Sequence, residues 1–202
     1  MSSSAAVSSR PVATATLILL ALAVGVGATG RLAAVAPPGP QLIILALVAA
    51  AVALGMGVRA VRSWVDALPL RVLVGVHAVR FVGISFLILA ARGELSPLFA
   101  ARAGWGDLAA AVLALALIAA GEPATRRRRA LYLAWNAFAL LDLVVAVGTA
   151  WWVATRGLVP GMEPVLRLPL SLVPTFLVPM LVASHVFIFR RLLAGTGDAA
   201  AR

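Results

Sequence analysis

The chain has no cysteine, no lysine, a single tyrosine and only seven acidic side chains in 202 residues. Without cysteine there are no disulfides, thiolate zinc sites, iron–sulfur clusters or thioether-attached haem. Without lysine there is no retinal or pyridoxal Schiff base and no lysine nucleophile. The glycine-rich phosphate loop that ends in lysine is missing too. Scarce acids weaken a reading as an intramembrane enzyme, because protonating or hydrolysing bonds inside lipid calls for paired carboxylates. Glu94, Asp107, Asp142 and Glu163 are the candidates, and all but Asp142 fall on the outer side of the topology derived below. The HExxH, GxSxG and aspartate-rich prenyl-diphosphate patterns do not occur.

What is present is apolar. Hydrophobic residues make up 63% of the chain and charged residues 12%, with a mean hydropathy of +1.06. A water-soluble domain of this length does not bury so much apolar surface, so the solvent is lipid. The net charge of +10 comes from seventeen arginines. They lie mostly in short loops between apolar runs, which suits membrane topology and not nucleic-acid binding.

The pattern predicts an all-α integral membrane bundle of six transmembrane helices, at about 11–29, 41–58, 70–92, 107–121, 130–155 and 169–189. Small polar tails at 1–10 and 194–202 are expected to be disordered. Ala34-Val35-Ala36 offers the rival reading of a cleaved signal peptide, although the first run is long for one. Residues 59–71 read as a basic amphipathic connector with Trp64 at the membrane surface. Residues 93–107 read as an interfacial or re-entrant segment, with Trp105 at headgroup depth and Asp107 capping the next helix. The fourth helix, from 107 to 121, would then cover only about 22 Å.

With the N-terminus inside, eleven arginines lie on the cytoplasmic side and five on the other, Arg80 being the remaining one. The asymmetry places both termini in the cytoplasm of an inner-membrane protein. The glycines and alanines of helices one, two and four permit close helix association, within the protein or in a homo-oligomer.

Residues 70–92 carry His77 and Arg80 inside a membrane-length run. An arginine at mid-helix costs roughly 2.5–3.5 kcal/mol on insertion scales, so it needs a partner. At 1.5 Å per residue, His77 lies ~9 Å from the cytoplasmic surface, Asn136 ~9 Å and His185 ~8 Å. Arg80 at ~14 Å and Asp142 at ~18 Å share a deeper layer. At 100° per residue, Ser171, Thr175 and His185 share a face of helix six, and Tyr132 and Asn136 share one of helix five with Asp142 at its edge. Polar stripes of this kind face protein or a water-filled cavity.

Helices three, five and six are therefore expected to converge on a polar core, and three uses of it are open. Arg80–Asp142 can be a structural ion pair with no chemistry. His77 and His185 can be axial ligands of haem b or hold another small cofactor, while zinc would find too few ligands. The ionisable groups can also serve a small transporter or proton-linked channel.

Overall fold

A computed structural model describes the backbone of residues 10–200 and the side chains of residues 12–194. The tail expected at 1–10 lies outside these residues but for Arg10. The tail expected at 194–202 is described only as helical backbone to Ala200.

The described chain is all helical, with no strand among the described residues. In order come α1 (Arg10–Ala28), α2 (Gly39–Gly57) and the short α3 (Arg59–Ala67). Then follow α4 (Leu70–Ala91), α5 (Pro97–Ala120), α6 (Arg126–Thr155) and α7, which starts at Val173 and runs to Ala200. Five of them, α2, α4, α5, α6 and α7, are long and apolar enough to cross a membrane, and Val12–Ala28 of α1 is a shorter apolar helix. The exterior is oily: Leu17, Leu22, Leu42, Leu45, Leu141 and Val144 all face outward. Exposed leucines around a core that holds arginine, histidine and aspartate are the pattern of a protein whose surroundings are lipid. The chain is a helical membrane protein.

Three segments differ from the sequence expectation. First, residues 97–104 are not a re-entrant segment but the start of a helix that continues to Ala120. Pro97 is accepted there because the first helical position has no backbone hydrogen bond to lose. A π turn at Ala100–Gly104 then widens the helix. The predicted 107–121 helix is thereby lengthened to 24 residues, enough to span. Gly121, with φ 92°, ends it. Second, Asp107 caps nothing; it lies well inside α5 and points into the bundle. Third, Arg126–Arg129 are not a loop but the first turn of α6, and Ser171 precedes α7 instead of lying within it.

Four arginines at a helix N-terminus oppose the macrodipole, so their placement serves topology at the expense of local stability. Thr125 offsets this as N-cap, its hydroxyl oxygen accepting from the Arg128 N–H at 3.2 Å. Thr125→Ala is expected to lower stability by about 1 kcal/mol. An unchanged unfolding curve in detergent would show the cap to be idle.

α2 packs along α7, with Gly55 leaving room for the ring of Phe187. The amphipathic α3 is fastened beneath them by the Arg190–Asp66 ion pair and by Arg191 donating to the Leu68 carbonyl. α4 lies against α5, and α6 against both α5 and α7. The apolar core at one end gathers Leu73, Val74, Ala114, Tyr132, Phe187 and Ile188; that at the other end gathers Phe86, Phe99, Val153 and Val165. The polar residues sit between these two plugs.

Candidate functional site

The middle of α4 is wound as a 3-10 helix over Val76–Val82. With three residues per turn, side chains at i and i+3 eclipse, so His77 and Arg80 stand on one face, ~6 Å apart along the axis. That face looks onto α5, α6 and α7.

Arg80 is 1% exposed, and each of its three nitrogens is engaged. Nε donates to Asp107 Oδ1 at 2.7 Å, Nη1 to the Ala139 carbonyl at 2.8 Å, and Nη2 to Asp142 Oδ2. The expected Arg80–Asp142 pair is present, joined by a second carboxylate that sequence reasoning had placed at the outer surface. Counted at full ionisation, one guanidinium faces two carboxylates, and the trio carries a net charge of −1.

Glycines make this approach possible. A Cβ on Gly106 would fall on the Asp142 carboxylate, and one on Gly83 would meet the Gly104 carbonyl at 2.7 Å and the Asp107 Cβ at 2.8 Å. The π turn of α5 lies against α4 just past Arg80, where Gly104 and Gly83 face each other. Backbone packed this closely brings the aspartate within reach of a short guanidinium arm.

One turn away the two histidines are 0% exposed, with ring centroids 4.2 Å apart and planes tilted by 43°. Each ring has one nitrogen in a hydrogen bond. His77 Nε2 lies 2.8 Å from Ser184 Oγ, which is also 2.8 Å from the Leu181 carbonyl. With the single hydroxyl proton given to that carbonyl, His77 is the Nε2–H form. Asn136 Nδ2 donates to the His185 carbonyl at 3.1 Å, which turns Asn136 Oδ1 toward His185 Nδ1 at 2.7 Å as an acceptor. His185 is therefore the Nδ1–H form. The remaining nitrogens, His77 Nδ1 and His185 Nε2, are buried with no partner. Trp135 closes the group, edge-on to His77 at 5.1 Å and 5.8 Å from His185, its Nε1 donating to the Ala110 carbonyl at 3.0 Å.

His77, His185 and Asn136 thus meet as expected, and so do Arg80 and Asp142. Three other expected members lie elsewhere. Tyr132 donates toward the carbonyls of Leu117 and Gly121, both at 3.1 Å, and pins the end of α5. Thr175 bonds the Ser171 carbonyl at 2.6 Å and lines a cavity of about 310 Å³ with Gln41 and Glu163. Ser171 is buried beside Gly27 with its hydroxyl unpartnered. Missed by sequence reasoning were the places of Asp107, Trp135, Ser184, Gly104 and Gly106 in the site, whereas Gly83 is expected one step beyond Arg80 on the same face. Trp135 and Ser184 adjoin Asn136 and His185 in sequence, and that adjacency was the available signal.

The histidines do not fit a haem. Axial imidazoles each bond the iron through one nitrogen from opposite faces of a macrocycle and do not touch each other, whereas these rings are in direct contact. Among the described residues no group of three or more histidine, cysteine or acidic side chains is placed to hold a metal ion. Buried charge, two lone pairs and fixed donors suit the handling of protons.

Residues 37–193 match a protein family described as a domain of unknown function (DUF8737). No curated protein and no solved structure matches the chain.

Proposed function

The chain belongs to this DUF8737 family, and from its buried chemistry we propose a membrane protein that moves protons through its interior. One observation carries the reading: a single guanidinium is buried between two carboxylates, with a pair of imidazoles on the same face one turn away. Ionisable groups are expensive in a lipid-embedded bundle, and an odd charge there is more expensive than a closed pair. A centre that carries −1 when both carboxylates are ionised is neutral with one proton. Holding and releasing that proton is the chemistry these residues perform best.

The arrangement in the membrane follows from the arginines. With α1 as a sixth span, both termini face the cytoplasm, the run Arg126–Arg129 lies on that side with Arg190 and Arg191, and the histidines are nearer to it than Arg80 is.

The test is flux. Protein reconstituted in liposomes under a potassium diffusion potential is expected to acidify the lumen, read with an entrapped pH dye. Asp142→Asn is expected to slow that flux at least tenfold. Wild-type vesicles no leakier than empty ones, under either sign of potential, would sink the reading.

A second reading has its own support. Every nitrogen of Arg80 is bonded and three glycines are given over to the contact, which is also what a purely architectural clasp between α4, α5 and α6 requires. The same vesicles separate the two, since a clasp predicts no proton flux.

A further inference from the structure

The proton that neutralises the centre has more than one place to sit. Ionisable side chains reach the face of Arg80 from four helices: His77 on α4 itself, Asp107 on α5, Asp142 on α6 and His185 on α7. α2, which packs on α7, has no ionisable residue. Arg80 does not enter the exchange, because a guanidinium stays protonated in proteins. The proton is therefore divided among two carboxylates and two imidazoles.

The carboxylates form one station. Asp107 and Asp142 are bound to different nitrogens of the same guanidinium, and a proton on either leaves the other as the counter-ion of Arg80. The imidazoles form the other. Ser184 and Asn136 occupy one nitrogen of each ring, and the two nitrogens left over are fully buried without a partner. A lone pair on such a nitrogen is free to take a proton, and the net negative charge of the neighbouring trio favours the imidazolium that results. With the rings in contact at 4.2 Å, a positive charge on one imidazole opposes a second on its neighbour. The pair accommodates a single proton.

We infer that one proton is shared between a carboxylate station, Asp107 with Asp142, and an imidazole station, His77 with His185, set one above the other by the 3-10 turn of α4. In the exchange the O–H bond of an aspartic acid breaks, leaving its electron pair on the carboxylate, and an N–H bond forms from the lone pair of His77 Nδ1 or His185 Nε2. The total charge is the same in both forms. The inference deepens the proposed function by naming where the moving proton rests, but it concerns equilibrium and is measurable without flux.

The chain contains only two histidines, so 15N-histidine labelling reports on this pair alone. The experiment uses the full chain in lipid nanodiscs, followed by nitrogen NMR and by the infrared C=O stretch of protonated carboxyls. At neutral pH the wild type is expected to show His77 Nε2–H and His185 Nδ1–H as the neutral tautomers, and one bound proton per chain, divided between a protonated-carboxyl band and an imidazolium signal whose fractions sum to one. Asp142→Asn removes a negative charge and leaves Arg80–Asp107 balanced without that proton. Both the carboxyl band and the imidazolium signal are then expected to fall at least tenfold at neutral pH. Asp107→Asn is expected to do the same, and serves if the first variant does not fold.

Opposite tautomers, no imidazolium signal in the wild type, or an imidazolium signal unchanged in the aspartate variants would each overturn the inference. If the spectra come out as expected while vesicles show no flux, the proton is held but not conducted, and only the function proposed above fails. Flux with an unchanged imidazolium signal defeats only the two-station scheme.

Discussion

Replacing Arg80 with methionine is expected to destabilise the bundle by about 3–5 kcal/mol, since it leaves buried charge without its partner. Asp107 and Asp142 would then face each other across an apolar gap, and the Ala139 carbonyl would lose its donor. Part of that cost is relieved by protonating both carboxyls, so the defect should be worst at high pH. The decisive comparison is a triple replacement, Arg80→Met with Asp107→Leu and Asp142→Leu. Exchanging a whole buried ion cluster for apolar residues is often neutral or stabilising by roughly 1–4 kcal/mol. The triple variant is therefore expected to regain most of the lost stability while losing all proton flux. Denaturant unfolding in micelles reads the first quantity and vesicle acidification the second. An Arg80→Met variant as stable as the parent would mean that the cluster is not charged in the folded protein.

Gly106→Ala is the second large effect, and its sign makes it diagnostic. Within a helix, alanine for glycine is worth about 1 kcal/mol in favour of the helix. At position 106, however, the added methyl would occupy the place of Asp142 Oδ1, so the aspartate must turn away from Arg80. Breaking that buried pair is expected to outweigh the propensity gain by about 2–4 kcal/mol net. Gly148 in α6 is the control, because a Cβ there meets nothing within 4 Å. Gly148→Ala should leave stability equal or slightly higher. Matching unfolding midpoints for the two alanine variants would show that the close approach of α5 to α6 does not matter.

Much of the site could be read from spacing. A fixed rise per residue turns sequence offset into depth, and the depths of His77, Asn136 and His185, and of Arg80 and Asp142, did predict which groups meet. The failures share one cause, backbone that is not α-helical. Asp107 looked like a cap because glycines precede it and Pro97 seems to break the chain. With α5 starting at Pro97, the same residue lies ~15 Å along the helix, level with Arg80. Ser171 and Thr175 were put on the face of His185 by counting 100° per residue. The π turn at Val173–Leu177 alters that count, and Ser171 lies before the helix begins. Tyr132 has the expected burial but turns to the end of α5 instead of the histidines. Spacing puts Gly83 on the face of Arg80, and Gly104 and Gly106 read as a turn before a cap; what these glycines make room for depends on what stands opposite.

The widened turn at Ala100–Gly104 has a bearing on how this molecule can drift over evolutionary time. The loosened coil holds one residue more than an ordinary α turn, and every residue downstream of it in α5 takes its compass heading from how that residue is absorbed. Loss of one alanine there would let the coil close into regular α-helix with Asp107 still facing the bundle, whereas loss of one residue between the coil and Asp107 would swing the carboxylate by ~100° toward the acyl chains. The orientation of that carboxylate is stored upstream of it, in the phase of the backbone.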